Sequence, residues 1–406
     1  MRKFLSIWWL NPTIIYIAMT LIAFYACSIS ERSYWLLYGV RGKYVSAAYL
    51  IMYVLSAFLF CLGCKSAKTL HDVQLMDAIK LKDVYKYLLF VVVVAYGIWF
   101  VRFVSIHGLS NFFSFLKPTV LAAKASVFRL NSGRIPGITS MTEFGVVVAP
   151  LSVILFTISR EKKYILHFLV LCILATIRAV LFSERLAIIE ILTPSIIVFL
   201  ALHRYRKLYV FLPIVAIVFL FVFFGVFEYS RSWSRYYVNV YHGTYAEFII
   251  NRVMGYYAIA VNTECTAITY FEPCYFPNRL LLWLWQFPLL NKVPDMISPD
   301  SNVAKLLAAY GNPEFNNPGG MLAAVCDFGA IGLVFSFFFG RIVGGVYKSF
   351  RKGGLRGMIF YPICFLALVE LPRYFYFGNQ RAFFVLVGMY IMYEKTKRNK
   401  IYSLLG

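Results

Sequence analysis

Acidic residues are scarce in this chain: 18 Asp and Glu stand against 40 Lys and Arg in 406 residues, and the charged types together make only 14% of the sequence. So little charge cannot cover the surface of a soluble protein of this length. A phosphate-cradling glycine-rich loop is missing as well. Its nearest approximation, Gly63, Cys64, Lys65 and Ser66, has the wrong spacing and follows an apolar run, which speaks against an ATP-driven pump. The five histidines, His71, His107, His167, His203 and His242, are scattered, with no HExxH motif and no tightly spaced carboxylate pair. Neither a metal nor another cofactor is expected. Asp327, Phe328 and Gly329 share their letters with the kinase metal triplet, but the rest of that motif set is missing.

What remains is apolar: 61% of the residues are hydrophobic and 19% aromatic, with a mean hydropathy of +0.72. Backbone polar groups must be satisfied inside a bilayer, and continuous apolar runs near twenty residues select helices over the alternating pattern of barrel strands. Ten helices are predicted, at 11–30, 45–64, 87–106, 141–159, 164–182, 185–203, 208–228, 319–340, 357–375 and 380–394. The expected fold is an all-α polytopic membrane protein in three sections. Residues 1–228 hold helices one to seven with a basic outer loop at 106–140, residues 229–318 form one long, partly helical loop, and residues 319–406 hold helices eight to ten. The first helix reads as a retained signal anchor.

Charge then orients the bundle. With both termini on the cytoplasmic side, the internal segments carry 14 Lys and 8 Arg, leaving 5 Lys and 13 Arg for the outer loops and the membrane. That obeys the positive-inside rule and predicts an inner-membrane protein. Topology needs only positive charge, whereas the planar guanidinium fork suits phosphate, so the outer arginines point to an anionic partner, with lipid headgroups or loop carboxylates as the alternative.

Ionisable residues inside spans are costly and converge on the outer face. Arg178, Glu184, Arg185 and Glu190 flank one tight turn, Glu370, Arg373 and Arg381 flank another, and Glu143 and Asp327 lie one to two turns inside their helices. Together they describe a polar cavity open to the outside, with interhelical ion pairs such as Arg178 with Glu190 as the alternative. The 106–140 loop adds Lys117, Lys124, Arg129 and Arg134. In the long loop, Arg231 and Arg235 share a helix face and can grip one phosphate group, with Arg252 further along. The apolar stretch Leu280–Leu290, too short to span, is expected to lie at the interface or re-enter the membrane. Cys265 and Cys274 fall in the same loop, where oxidation permits a disulfide staple; two buried thiols are the alternative.

The loop closes on Asn312, Pro313, Glu314, Phe315, Asn316 and Asn317, and the next helix carries Asp327, Phe328, Gly329, Ile331 and Gly332. With Ser183, Glu184, Arg185 and Leu186 ahead of the sixth helix, the chain resembles the bacterial O-antigen polymerases, the Wzy class of oligosaccharide repeat-unit polymerases. Arg134 followed by Gly145 fits the spaced Arg and Gly pattern of their outer loops. The related O-antigen ligases usually carry a His-Asn pair where this chain has Asn316 and Asn317.

The resemblance implies a metal-independent glycosyltransferase of the helical C type (GT-C-like), acting on the periplasmic side with residues 229–318 as an active-site lid. Its partners would be a glycan donor and acceptor on undecaprenyl pyrophosphate, membrane lipids and a chain-length regulator, with no nucleic acid. Arg178, Arg185, Arg231, Arg235 and Arg252, then Arg134 and Arg373, are the expected pyrophosphate contacts. Glu247, His242, Glu314 and Asp327 are the candidate bases. An O-antigen ligase or a lipid-linked oligosaccharide flippase are the rival functions.

Overall fold

The computed structural model describes residues 2–40, 42–113, 128, 134–182, 184, 186–287, 289–297, 303–312 and 314–404, without the side chains of 2, 3, 230, 231, 235, 303, 304 and 398–404. Among these residues there is no strand, only a single bridge between Gly319 and Tyr374.

The principal helices are α1 (Pro12–Ser28), α2 (Glu31–Tyr38), α3 (Ala47–Ser66), α4 (Lys82–His107), α5 (Gly145–Ser159), α6 (Lys162–Phe182), α7 (Leu186–Leu202), α8 (Leu212–Glu228), α9 (Tyr245–Tyr270), α10 (Ala323–Phe328), α11 (Leu333–Lys352), α12 (Leu355–Glu370) and α13 (Ala382–Leu404). Six stretches are long and apolar enough to cross a membrane, or seven if α1 and α2, bent by 99°, make one broken span. The ten expected helices all have a counterpart, but α7 is shorter than a full span and α12 has only 16 residues around Pro362. The run expected at 319–340 is divided, because Gly329 at φ +62° ends α10 and a short 3-10 turn leads into α11.

Local chemistry sets the boundaries. Asn11 accepts a hydrogen bond from the Thr13 N–H at 3.0 Å and Pro12 opens α1, both good helix starts. Extended Ile29 and Ser30 break the helix axis, Ser30 caps α2, and Gly39 at φ +62° closes it.

Between helices, packing depends on small residues, since lipid offers no hydrophobic drive for helix association. Gly340 and Gly344 on α11 form a small-xxx-small pair against α3. A Cβ at Gly340 would stand 2.2 Å from the Phe60 carbonyl oxygen, and one on Gly63 of α3 would stand 2.1 Å from that of Phe337. Only glycine permits so close an approach. A polar chain fastens the same region: the Tyr16 hydroxyl meets Ser56 Oγ at 2.7 Å and Ser56 meets Ser336 at 2.8 Å, joining α1, α3 and α11. Such bonds contribute about 0.6 kcal/mol each in a membrane. The centre of the bundle is α5, the most enclosed candidate span, with 78% of its apolar stretch buried.

The 229–318 section, expected to be a partly helical loop, contains one long helix. Its helix α9 runs for 26 residues through the packed interior against α1 and α8. Asn262 accepts from the Tyr44 N–H at 2.7 Å and donates to the Gly42 carbonyl at 2.9 Å. Buried Glu264 accepts from the Tyr53 hydroxyl at 2.6 Å and the Leu322 N–H at 2.8 Å. These polar residues lower the apparent hydropathy of α9, yet each is satisfied inside. Residues 280–287 fold into turns with a short 3-10 helix, and Asn278, Arg279 and Leu280 are buried. The disulfide is not formed: Cys265 is a buried thiol within α9, and the Cys274 thiol lies 3.3 Å from the Phe276 carbonyl.

Candidate functional site

Because consecutive helices reverse direction, Glu143 before α5, Glu184 before α7, Glu370 closing α12 and Arg381 before α13 all fall at one end of the bundle. Lys82, Glu161 and Arg356 fall at the other. At the first end lies a cavity of about 360 Å³. Three arginines, Arg134, Arg373 and Arg381, line it beside three glutamates, Glu184, Glu314 and Glu370. Asn316, Asn317 and Asn379 add amides, and Tyr256 and Tyr257 add rings. One wall is apolar, made by Leu186 and Ile189 of α7 and by Leu220, Phe223 and Phe224 of α8.

Gly319 and Gly320 set the segment that carries the asparagines. Gly319, at φ +78°, donates its N–H to the Arg373 carbonyl at 2.9 Å, and a Cβ there would strike Glu264. A Cβ on Gly320 would lie 2.1 Å from the Phe375 nitrogen. The glycine pair itself thus fits between α9 and the 371–375 segment, directly after the asparagines.

Among the described residues the charged side chains form two networks and one further pair. In the first, Arg178 donates to Thr142 Oγ1 at 2.6 Å and pairs with Glu143 at 3.5 Å and Glu184 at 3.4 Å. Arg381 reaches Glu184 and Glu190, both at 3.0 Å, and Arg134 is also paired with Glu184. Three guanidinium groups therefore share one carboxylate. In the second, Arg252 pairs with Glu314 and, at 3.5 Å, with fully buried Glu228, and stacks 4.8 Å over the Phe315 ring. The Tyr237 hydroxyl donates to Glu314 at 2.9 Å; burial and then the Glu314 charge push that phenol up to about 12. Arg373 pairs with Glu370 at 2.6 Å. Several buried polar atoms here have no hydrogen-bond partner among the described residues, including Arg373 Nε, Glu190 Oε1 and the Tyr374 hydroxyl.

The expected residues divide accordingly. Arg134 and Arg373 line the cavity, while Arg178 and Arg252 adjoin it through Glu184 and Glu314. Arg185, Lys117, Lys124 and Arg129 lie outside the described residues, as do the side chains of Arg231 and Arg235. Of the four candidate bases, only Glu314 lines the cavity. His242 is exposed at the surface. Exposed Glu247 is the N3 member of a capping box with Thr244, accepting the Thr244 N–H at 3.0 Å. Asp327 is buried, and its carboxylate accepts from the Arg279 N–H at 2.9 Å and the Leu280 N–H at 3.0 Å. That arrangement holds the buried 279–280 turn.

The interhelical ion pairs weighed as an alternative to an open site are present, but with other partners: Arg178 joins Glu143 and Glu184, and Glu190 joins Arg381. Arg381, Glu184 and Glu370, expected from their position at helix ends to belong to a polar cavity but not among the expected pyrophosphate contacts or bases, line it directly. Among the described residues no group of three His, Cys, Asp or Glu side chains is arranged to hold a metal ion. Comparison with known proteins gives no match to a family model, to a curated protein or to a solved structure.

Proposed function

We propose that the chain is a metal-independent membrane glycosyltransferase that lengthens a lipid-linked glycan, of the kind the O-antigen polymerase resemblance implies. The observation that carries this reading is the composition of this cavity: arginines for an anionic leaving group, carboxylates and asparagines for hydroxyls, and tyrosine rings for sugars, beside an apolar wall. The segment on which the resemblance rests, Glu314 with Asn316 and Asn317, contributes to its lining. The positive-inside rule supports a cavity end outside the cytoplasm, where undecaprenyl-pyrophosphate-linked repeat units are the substrates in this reading.

In the proposed reaction an acceptor hydroxyl attacks the anomeric carbon of the donor glycan and the carbon–oxygen bond to pyrophosphate breaks. Glu314 takes the hydroxyl proton through the carboxylate oxygen that is not bound to Arg252 and Tyr237. Charge developing on the leaving undecaprenyl pyrophosphate is met by Arg373, Arg134 and Arg381, held at the cavity by Glu370 and Glu184. Such a general base contributes about 10²–10⁴-fold.

Purified protein in nanodiscs, supplied with lipid-linked repeat units, is expected to yield a ladder of longer glycans. Glu314→Gln should lower the rate by about 10²-fold or more while the protein still inserts. Translocation of the repeat unit with no longer product would favour the flippase reading, and transfer only to a lipid A core the ligase reading; either refutes polymerisation.

A further inference from the structure

The whole chain carries a formal net charge of +22, yet the charged lining of its cavity is balanced, three arginines against three glutamates. Glu184 is the centre of that balance. Its carboxylate lies within the reach of Arg134, Arg178 and Arg381, more cations than a carboxylate needs for neutrality, and its side chain is 11% exposed at the cavity wall. Among the described pairs, removing Glu184 would leave Arg134 without this carboxylate and Arg381 with Glu190, while Arg178 retains Glu143. The arrangement has the chemistry of an anion site already occupied by an anion of the protein.

We propose that Glu184 is a built-in competitor for the ligand's pyrophosphate: it occupies the arginine cluster when the cavity is empty, gives up part of its guanidinium bonds when pyrophosphate binds, and takes them back to expel the product. This rests on the reading of the cavity as a pyrophosphate site. The physical argument is one of exchange. A carboxylate and a phosphate oxygen make the same bidentate, charge-assisted bonds to guanidinium, so each Arg–Glu184 bond lost is replaced in kind. Affinity is then set by the difference between two similar sets of bonds, which keeps binding moderate and release fast. An arginine cluster without Glu184 would bind the leaving group tightly and retain it. Glu190 cannot take this part, being fully buried on α7, and Glu370 has a single arginine neighbour among the described pairs, Arg373.

The test measures the affinity of purified protein in nanodiscs for two probes, inorganic pyrophosphate in solution and undecaprenyl pyrophosphate in the bilayer. Glu184→Gln is expected to tighten both by about tenfold, equivalent to about 1.4 kcal/mol, and to slow multiple turnover through product inhibition. If only the lipid form binds the wild type, the ligand source is the membrane and the same tightening is read on that probe. Glu184→Ser, also neutral, repeats the measurement should the amide variant not fold. A purely structural Glu184 predicts the reverse, because losing a strut disorders the arginines. Unchanged or weaker binding in both neutral variants, with Arg373→Gln still abolishing binding, overturns the competitor role alone. Binding that is indifferent to Arg373→Gln overturns the pyrophosphate site itself.

Discussion

Replacing Arg381 by Met strands a buried carboxylate and gives a direct measure of what the charged end of the bundle contributes. Glu190 is fully buried, its Oε2 accepts from Arg381 Nη1 at 3.0 Å, and its Oε1 has no hydrogen-bond partner among the described residues. Removing one member of such a pair costs about 3–5 kcal/mol, because the remaining charge keeps its desolvation penalty without its partner. Arg381 itself is 21% exposed, which places the expected loss near the lower bound, about 3 kcal/mol. Its second bond adds little, since Glu184 retains Arg134 and Arg178. Replacing both members, as Arg381→Met with Glu190→Gln, removes the stranded charge and should recover most of the loss, leaving about 1 kcal/mol. Equilibrium unfolding in mixed micelles with a graded denaturing detergent, followed by tryptophan fluorescence, compares wild type, both single variants and the double variant. A single Arg381→Met variant within about 1 kcal/mol of wild type, the range of an exposed pair, would refute the reasoning. So would a double variant no more stable than the single one.

Three further outcomes follow from the packing and the pairing. Asp327→Asn keeps one acceptor oxygen but loses the charge that strengthens its bonds to the Arg279 and Leu280 N–H groups, so folded stability should fall by about 2 kcal/mol while glycan transfer per folded molecule is retained; a specific loss of turnover would return Asp327 to the reaction. Gly340→Val should abolish the folded yield, read by size-exclusion profile, because even a Cβ there stands 2.2 Å from the Phe60 carbonyl, whereas Gly97→Val, with nothing within 4 Å of the added Cβ, should leave the profile unchanged. Hydrogen bonds from Lys163 and then Lys82 hold the Glu161 carboxylate down from 4.5 to about 2. A folded value below the unfolded one gives stability that is present above pH 4.5 and is lost as the pH falls toward 2. The thermal midpoint of Glu161→Gln should therefore fall less than that of wild type across this window, by a small margin for so exposed a group.

Much of the fold was legible because apolar runs and charge position are properties of the sequence alone. Runs near twenty residues gave the helices, and the placement of Glu143, Arg178, Glu184, Glu190, Glu370, Arg373 and Arg381 near helix ends implied that they gather at one end. Their pairing was not legible, since partner choice depends on how helices rotate about their axes. Arg178 meets Glu143 and Glu184, and Glu190 is left to Arg381 for that reason. The interior place of α9 was hidden by Arg252, Asn262 and Glu264, which resemble loop chemistry until their partners are known. One further signal lies in the sequence: Thr244 followed three residues later by Glu247 is a capping box, which commits Glu247 to a helix terminus. The close contact of α3 with α11 was written in Gly340 and Gly344, four residues apart, but the facing Gly63 is distant in sequence and only the fold pairs them.

The cavity wall formed by α8 carries a consequence for how freely this sequence can change. Only 6% of that helix's apolar stretch is buried, and α9 is the principal long helix against which it packs. Most of its positions answer to the bilayer, which asks for apolarity and not for shape, so Ile214, Val218 or Val222 can exchange among Leu, Ile, Val and Phe with little effect. The exceptions are few: Leu220, Phe223 and Phe224 at the cavity, Phe221 against the buried face of α9, Gly225, whose carbonyl accepts the Tyr245 hydroxyl, and buried Glu228, which pairs with Arg252. Along α8, heritable information is thus confined to a narrow inward stripe, and the remainder of the helix is free to drift.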